Sequence, residues 1–449
     1  MNIQTLIQET YNKPNPNNQD YPSILLSILK EKHLWPSIKI KKFKNDKNLC
    51  LLHNSYKRDD ITEYRELYDE CRSIILDFSK SIGNNVVINY AHSIPQRLSI
   101  ENYINHNYNP NDESYIAMDG TLITTYFHNG MWFFGSSCCP DINSSKFSHP
   151  SKTHGYMLDE VLYEIYKNNV DINDPNISTT LRNLFTSNLS PLYSYVFILI
   201  HHENRHIIDY TNEFGNDFKF LYHINTKNRL TLVDEEISSK PLEYLGIKYA
   251  YKFAKVEDAI SYISTTDKAI IIKRDNKLLK IANNHSLHLE EVHSNNYNLY
   301  YNLIYVYMLQ KPNYSIIEYI KEFYPNEVFL TNPQQDIHII FTIISNILYN
   351  LYISTTNYYP KYKRFKVNLD VDKTFNPVLR FHLAQLRHQQ RTSYSKAIIT
   401  NEEVYNYLCH MNNVKNIKKL IFYLSTNNIF NIPDVIIETF KRVLTHLST

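Results

Sequence analysis

The sequence predicts an α+β fold, a mixed N-terminal domain of strands and helices followed by an all-helical C-terminal domain. Two observations predict it. Over residues 1 to about 290 the apolar side chains come in short runs rich in β-branched residues, which have the length and composition of strands. From about residue 295 they recur at helical spacing over long stretches. At 449 residues and 43% hydrophobic content, the chain can bury more than one core. In chain order, the basic run at 39–44 alternates and reads as a strand at a solvated sheet edge. Strands follow at 73–78, 85–90, 195–200 and 269–272. Between them, Met157, Leu158, Val161, Leu162 and Ile165 mark one face of a helix over 155–168. Helices are expected at 297–309, 315–323, 336–353, 377–391, 401–411 and 432–447, and the change of texture puts a boundary near Ser294. The domains are therefore 1–294 and 295–449.

Composition narrows the classes. The most apolar stretch, 336–354, is interrupted by Asp336, His338, Asn346 and Asn350, whereas a membrane span needs roughly 20 nearly unbroken apolar residues. A core helix and no membrane association are expected. No secretory signal opens the chain, and five cysteines without regular spacing fit a reducing compartment, so a cytoplasmic location is expected. A formal charge of +2 supplies no long-range field, so contact with nucleic acid has to come from a local patch. The 38 tyrosines and seven glycines, with abundant Asn, Ile and Lys, suggest an AT-rich genome such as that of a parasite or large DNA virus. Neither a Walker-type loop nor a Gly-x-Ser-x-Gly elbow occurs. His201 and His202, adjacent on a strand, are expected to point to opposite faces, and Cys138-Cys139 lacks a second pair at finger spacing. No metal site and no cofactor are expected.

Four separated segments carry a resemblance. Leu67-Tyr-Asp-Glu-Cys-Arg72-Ser73 is followed by Ala117-Met-Asp119-Gly120-Thr-Leu, with Thr125-Tyr126 shortly after. Val196-Phe-Ile198 leads to Asn204-Arg205, and the last segment contains Lys268-Ala269 and Lys280-Ile-Ala282-Asn. Taken together and in this order they resemble the phage-type tRNA-repair RNA ligases, the RNA ligase 1 family of covalent nucleotidyltransferases. The resemblance covers the first two-thirds of the chain. It implies a ligase-like nucleotidyltransferase domain with antiparallel sheets and an appended helical domain that supports tRNA recognition. Arg72 stands where the family has the arginine of Glu-Cys-Arg-Gly, and Ser73 replaces its glycine.

The departures are chemical. The family's reaction begins when a lysine amine attacks the α-phosphate of ATP, and Ala117 stands in that lysine's place. Ile198 replaces a glutamate that contacts the nucleotide sugar, and Lys268 replaces a glutamate that helps place a divalent metal. Of two phosphate-engaging lysines Lys280 remains and the second has become Ala282. Losing such contacts, each worth about 1 to 3 kcal/mol in a buried site, weakens nucleotide binding by orders of magnitude. One engineered substitution does not produce four such changes. The expectation is a natural pseudoenzyme.

Its expected partner is RNA, a tRNA or an RNA end. Arg72, Asp119, Arg205, Lys268 and Lys280 are the candidates for lining the old cleft and holding a phosphate there. In the helical domain Lys361, Lys363, Arg364 and Lys366 interleave with aromatic rings, a pattern suited to stacking on bases. Arg380, Arg387 and Arg391 recur along one helical face. The alternative is a structural or adaptor protein of a viral assembly that uses the fold as a surface for a protein partner.

Overall fold

The computed structural model describes residues 2–14, 19–35, 37–43, 46–54, 64–80, 86–91, 93–146, 152–204, 206–208, 210–235, 242–274, 277–292, 299–309, 315–323, 331–359, 364–367, 375–392, 399–410, 414–426 and 430–448. Two compact units divide the chain, Met1–Leu289 and Glu290–Thr449. The first is mixed α and β, and the second is largely helical.

The N-terminal unit holds thirteen strands: β1 (Ile38–Lys42), β2 (Leu49–Asn54), β3 (Ile74–Asp77), β4 (Val87–Asn89), β5 (Gln96–Ser99), β6 (Glu113–Ile116), β7 (Thr121–His128), β8 (Met131–Ser136), β9 (Tyr193–His201), β10 (Lys219–Asn228), β11 (Lys248–Tyr249), β12 (Ala269–Arg274) and β13 (Lys277–Ala282). They form three sheets, ordered β1-β2-β3-β4, β11-β10-β9-β7-β8 and β5-β13-β12-β6. Most pairs are antiparallel, but β13 pairs with β5, and β10 with β11, in parallel. Antiparallel pairing thus predominates as expected, and two of the three sheets each add one parallel pair. Parallel neighbours need a long crossover, and here almost the whole unit separates β5 from β13. The basic run at 39–44 falls largely on β1, at the edge of its sheet as its alternation predicts.

Each sheet buries one face against helices. Two amphipathic helices, Ile3–Asn12 and Tyr21–Glu31, are capped by Asn2 and Asp20, whose side chains accept main-chain hydrogen bonds. They set Leu6, Leu25 and Leu29 against Leu52, Ile74 and Leu76 of the first sheet. The helices His154–Tyr166 and Ile177–Thr186 cover Ile123, Phe197 and Leu199 of the five-stranded sheet. On the third sheet Ile270, Ile272, Leu279 and Ile281 meet Tyr103 and Val256, Ala259 and Ile263 from two further helices. Because strand side chains alternate, Ala269, Ile271, Lys273, Lys280 and Ala282 point the other way. Lys273 lies within electrostatic reach of His223 on β10 and of Asp234, so this face looks toward the five-stranded sheet.

His154 illustrates how polar groups are held in this unit. It is buried, its Nδ1 lies 2.9 Å from Ser145 Oγ, and burial alone pushes its pKa down to about 4. The native state therefore stays unprotonated while the unfolded chain takes up a proton near pH 6.5. Stability is full above pH 6.5 and falls as pH drops toward 4, by about 3 kcal/mol for this histidine alone. Urea unfolding at pH 7.5 and pH 5 should show about 2 kcal/mol of that loss, and a His154→Asn chain should lack its share.

β9 ends at His201, and the chain turns there. The rings of His201 and His202 consequently stack, with centroids 4.6 Å apart and planes at 22°, instead of facing opposite sides. Strand alternation does not extend past a strand's last residue, which corrects the expectation for this pair.

In the C-terminal unit the helices Leu299–Leu309, Ile316–Phe323, Pro333–Thr355, Pro377–Thr392, Asn401–Cys409 and Asp434–Ser448 match the periodic segments of the sequence. A further helix, Val414–Thr426, buries Val414, Ile417, Leu420, Ile421 and Leu424. The 23-residue helix Pro333–Thr355 is long and apolar enough to cross a membrane, with mean hydropathy 1.5. It instead sets Ile337, Ile340, Phe341, Ile344, Leu348 and Tyr352 into the core of this unit. The aromatic and basic stretch forms a hairpin, Thr356–Tyr359 paired with Arg364–Val367.

Candidate functional site

At the end of β6 the main-chain N–H of Ala117 donates to the carbonyl of Ala269 at 2.9 Å. Ala117, Ala269 and Ala282 pack together with Ile271 and Leu287, and Ala117 is 5% exposed. Two of the positions where the resemblance expects lysines therefore meet, and both are methyl groups in a dry wall. Ile198 lies on the apolar inner face of the five-stranded sheet with Leu122, Tyr222 and Met118. A side chain at Gly120 would meet Leu199 O at 2.5 Å and Ile198 Cγ2 at 2.7 Å, so the chain passes this sheet only as glycine.

Asp119 serves the fold. Its Oδ2 accepts the main-chain N–H groups of Ile207 at 2.5 Å and Ile208 at 3.2 Å. Its own N–H donates to Tyr210 Oη at 2.8 Å, and His206 Nδ1 lies 3.1 Å from its carbonyl. These bonds pin the turn after β9 to the turn before β7. Asp119 is thus a positioning residue, a correction to its expected place among the ligand-binding groups, and the reason is that its carboxylate is already occupied.

Lys268 is also committed. Its ammonium pairs with Glu213 at 2.7 Å. Burial works against its charge, but the Glu213 carboxylate and the Tyr262 hydroxyl outweigh it and hold the pKa above the ordinary value. The positive charge expected to enter the cleft is spent on Glu213.

Arg72 differs from both. It precedes Ser73, whose φ of 60° is left-handed, a conformation that costs a residue with a β-carbon and explains a glycine in the related motif. Asn89 Nδ2 donates to the Ser73 carbonyl at 2.5 Å, and Ser73 Oγ lies 3.3 Å from Thr124 Oγ1, which fixes the bend. Arg72 itself is half-buried and has no carboxylate partner among the described residues. Burial and the neighbouring Arg97 guanidinium push its pKa down to about 10. Arg97 on β5 stands beside Lys280 on β13 in parallel register, so the two side chains leave the sheet on the same face. Arg72, Arg97 and Lys280 form a cationic cluster in the unit that also holds the alanine wall. Lys273 projects from the same face as Lys280, its ammonium 5.2 Å from the Tyr115 ring centroid, and burial pushes its pKa down.

Arg97 and Lys273 were not singled out in the sequence. Nothing local marks Arg97, because its neighbour Lys280 comes from the far end of the unit. Arg205 lies outside the described residues.

In the C-terminal unit Arg380 is exposed, but Arg387 is 7% exposed and its Nη2 donates to Thr355 Oγ1 at 2.8 Å. Arg387 is therefore a core residue, which corrects its expected place on a phosphate-binding face: seven-residue spacing does not tell an outward face from an inward one. Lys361 and Lys363 lie outside the described residues, as do the side chains of Arg364, Lys366 and Arg391. The backbone of Arg364 and Lys366 pairs with that of Tyr359 and Asn357, and the backbone of Arg391 belongs to the helix Pro377–Thr392.

No protein-family model and no curated protein matches the sequence. Among solved structures, an archaeal ATP-dependent RNA ligase is 11% identical, over 73% of this chain and 75% of its own, with a TM-score of 0.39. A putative ATP-dependent DNA ligase from Aquifex aeolicus is 10% identical over 90% of this chain and 80% of its own, with a TM-score of 0.34. A Naegleria gruberi RNA ligase is 11% identical over 57% of this chain and 77% of its own, with a TM-score of 0.30. Likeness at this level carries no argument about activity, and the site is read from its own residues.

Proposed function

We propose that this protein is a ligase-like nucleotidyltransferase without ligation chemistry, which holds RNA through a phosphate bound by Arg72, Arg97 and Lys280. The observation that carries the reading is Arg72, a half-buried guanidinium with no carboxylate partner among the described residues, set beside a second guanidinium. Like charges gathered at a partly buried position are costly, and an anion that accepts their hydrogen bonds removes the cost. A phosphate fits this need, because guanidinium groups bind its oxygens in a bidentate manner.

The same unit supports the second half of the proposal. A phosphoramide bond needs an amine, and Ala117, Ala269 and Ala282 offer only methyl groups. Lys268 is paired with Glu213, and an ammonium in that place supplies no oxygen ligand for a divalent metal. The chain therefore grips an RNA end and leaves its ends unjoined. In the C-terminal unit Arg380 remains available as an exposed contact for the same ligand class.

The test uses filter binding of a 5′-phosphorylated single-stranded RNA across a salt series. The Arg72→Gln, Arg97→Gln chain should bind at least tenfold more weakly, with a shallower dependence of log K on log salt. Unchanged affinity in that variant would sink the phosphate site. Incubation with radiolabelled ATP should leave no label on the protein, and a stable adduct would remove the claim of silent chemistry.

A further inference from the structure

Three side chains that ligate metals follow one another where β9 ends. The ligand atoms of His201, His202 and Glu203 lie within 4.8 Å of one another. His201 is fully buried, and its Nε2–H donates to the Glu160 carboxylate at 2.7 Å. That bond fixes the tautomer, so Nδ1 is an acceptor: it takes the main-chain N–H of Glu203 at 3.2 Å, and Glu203 Oε2 lies 3.9 Å away. A histidine whose protonated nitrogen sits on a carboxylate presents its other nitrogen as a lone pair, the usual arrangement in protein metal centres, and an ion here would displace the long Glu203 N–H contact.

His202 supplies the independent observation. Its Nδ1 is buried and has no hydrogen-bond partner among the described residues. A polar atom in that condition costs about 1 to 3 kcal/mol, and the cost calls for a reason. An ion provides one. The stacked rings keep both imidazoles on one side of the turn, 4.6 Å apart, with the Glu203 carboxylate beside them.

We propose that His201 Nδ1, His202 Nδ1 and the Glu203 carboxylate form a three-donor site for a divalent ion of the zinc class. Two imidazoles and a carboxylate suit zinc, nickel or copper better than calcium or magnesium, which take oxygen ligands. Donors around a tetrahedral zinc at roughly 2.1 Å stand about 3.4 Å apart, so the three close on an ion by small rotations of rings that are already gathered. Lys152 occupies the competing role. Its ammonium pairs with Glu203 and lies 3.7 Å from Glu160. It is a tethered, partly exposed cation on the same carboxylates. The bound ion would brace the turn that Asp119 holds from its other side, since Asn204 donates to Thr121 and His206 reaches the Asp119 carbonyl.

The experiment takes the full chain without a histidine tag, strips it with a chelator and titrates zinc by calorimetry. The expected result is a site that weakens at least tenfold in His202→Ala and tightens in Lys152→Met. Equal affinity in His202→Ala and the parent would overturn the site. Should that variant fail to fold, crystals of the parent grown with zinc decide the matter. Anomalous density is expected between the two imidazoles and Glu203, and its absence there would overturn the proposal.

Discussion

Replacing Asp119 by alanine should cost the N-terminal unit about 3 kcal/mol, although no ligand is involved. The carboxylate accepts the N–H groups of Ile207 and Ile208, and nothing in alanine can take them. Hydrogen bonds to a charged acceptor are each worth about 1.5 to 3 kcal/mol, and partial exposure of this site discounts the pair. In a unit of this size that loss lowers the melting temperature by about 5 to 10 °C. Asp119→Asn keeps an oxygen in place and should lose less than half as much. The measurement is thermal unfolding of the three chains side by side. If the alanine chain melts with the parent, the carboxylate does not pin the turn.

The second large effect belongs to the C-terminal unit. Arg387→Glu should cost about 3 to 5 kcal/mol, the range for a buried charge left without its partner. Arg387 donates to Thr355, the last residue of the helix Pro333–Thr355, where the helix dipole favours a cation. A glutamate there brings a negative charge to the negative end of the helix. Arg387→Met keeps the apolar stem and loses only the polar contacts, so it should cost about 1 to 2 kcal/mol. Urea unfolding of the two variants separates these outcomes, and equal stability of Arg387→Glu and the parent would contradict the buried role. A loss of RNA binding in Arg387→Glu therefore reports unfolding, whereas Arg380 lies on the surface and tests contact directly.

How much of this was legible in the sequence depended on whether the determining interaction is local. The helices of the C-terminal unit follow from periodicity, since residues three and four apart define a face by themselves. Val414, Ile417, Leu420, Ile421 and Leu424 carry the same signal for the helix that was overlooked. Strand runs such as 195–200 are equally visible, but their partners are not. The parallel pairing of Lys280 with Arg97 depends on residues far apart in the chain, and no local pattern encodes it. In the site, the alanine at position 117 is a matter of residue type and needs no structure. The roles of Asp119, Lys268 and Arg387 were misjudged because each is decided by one distant partner: the N–H groups after β9, Glu213 and Thr355. Charge alone distinguished none of them from Arg72, which has no such partner.

The joining of β5 to β13 also bears on when the protein becomes competent. The first two arginines are synthesised early, but Lys280 lies in the last strand of its sheet. A ribosome must release nearly the entire N-terminal unit before the third cation can dock beside Arg97. On the proposed reading, a nascent chain carries no assembled anion clamp until this unit is complete.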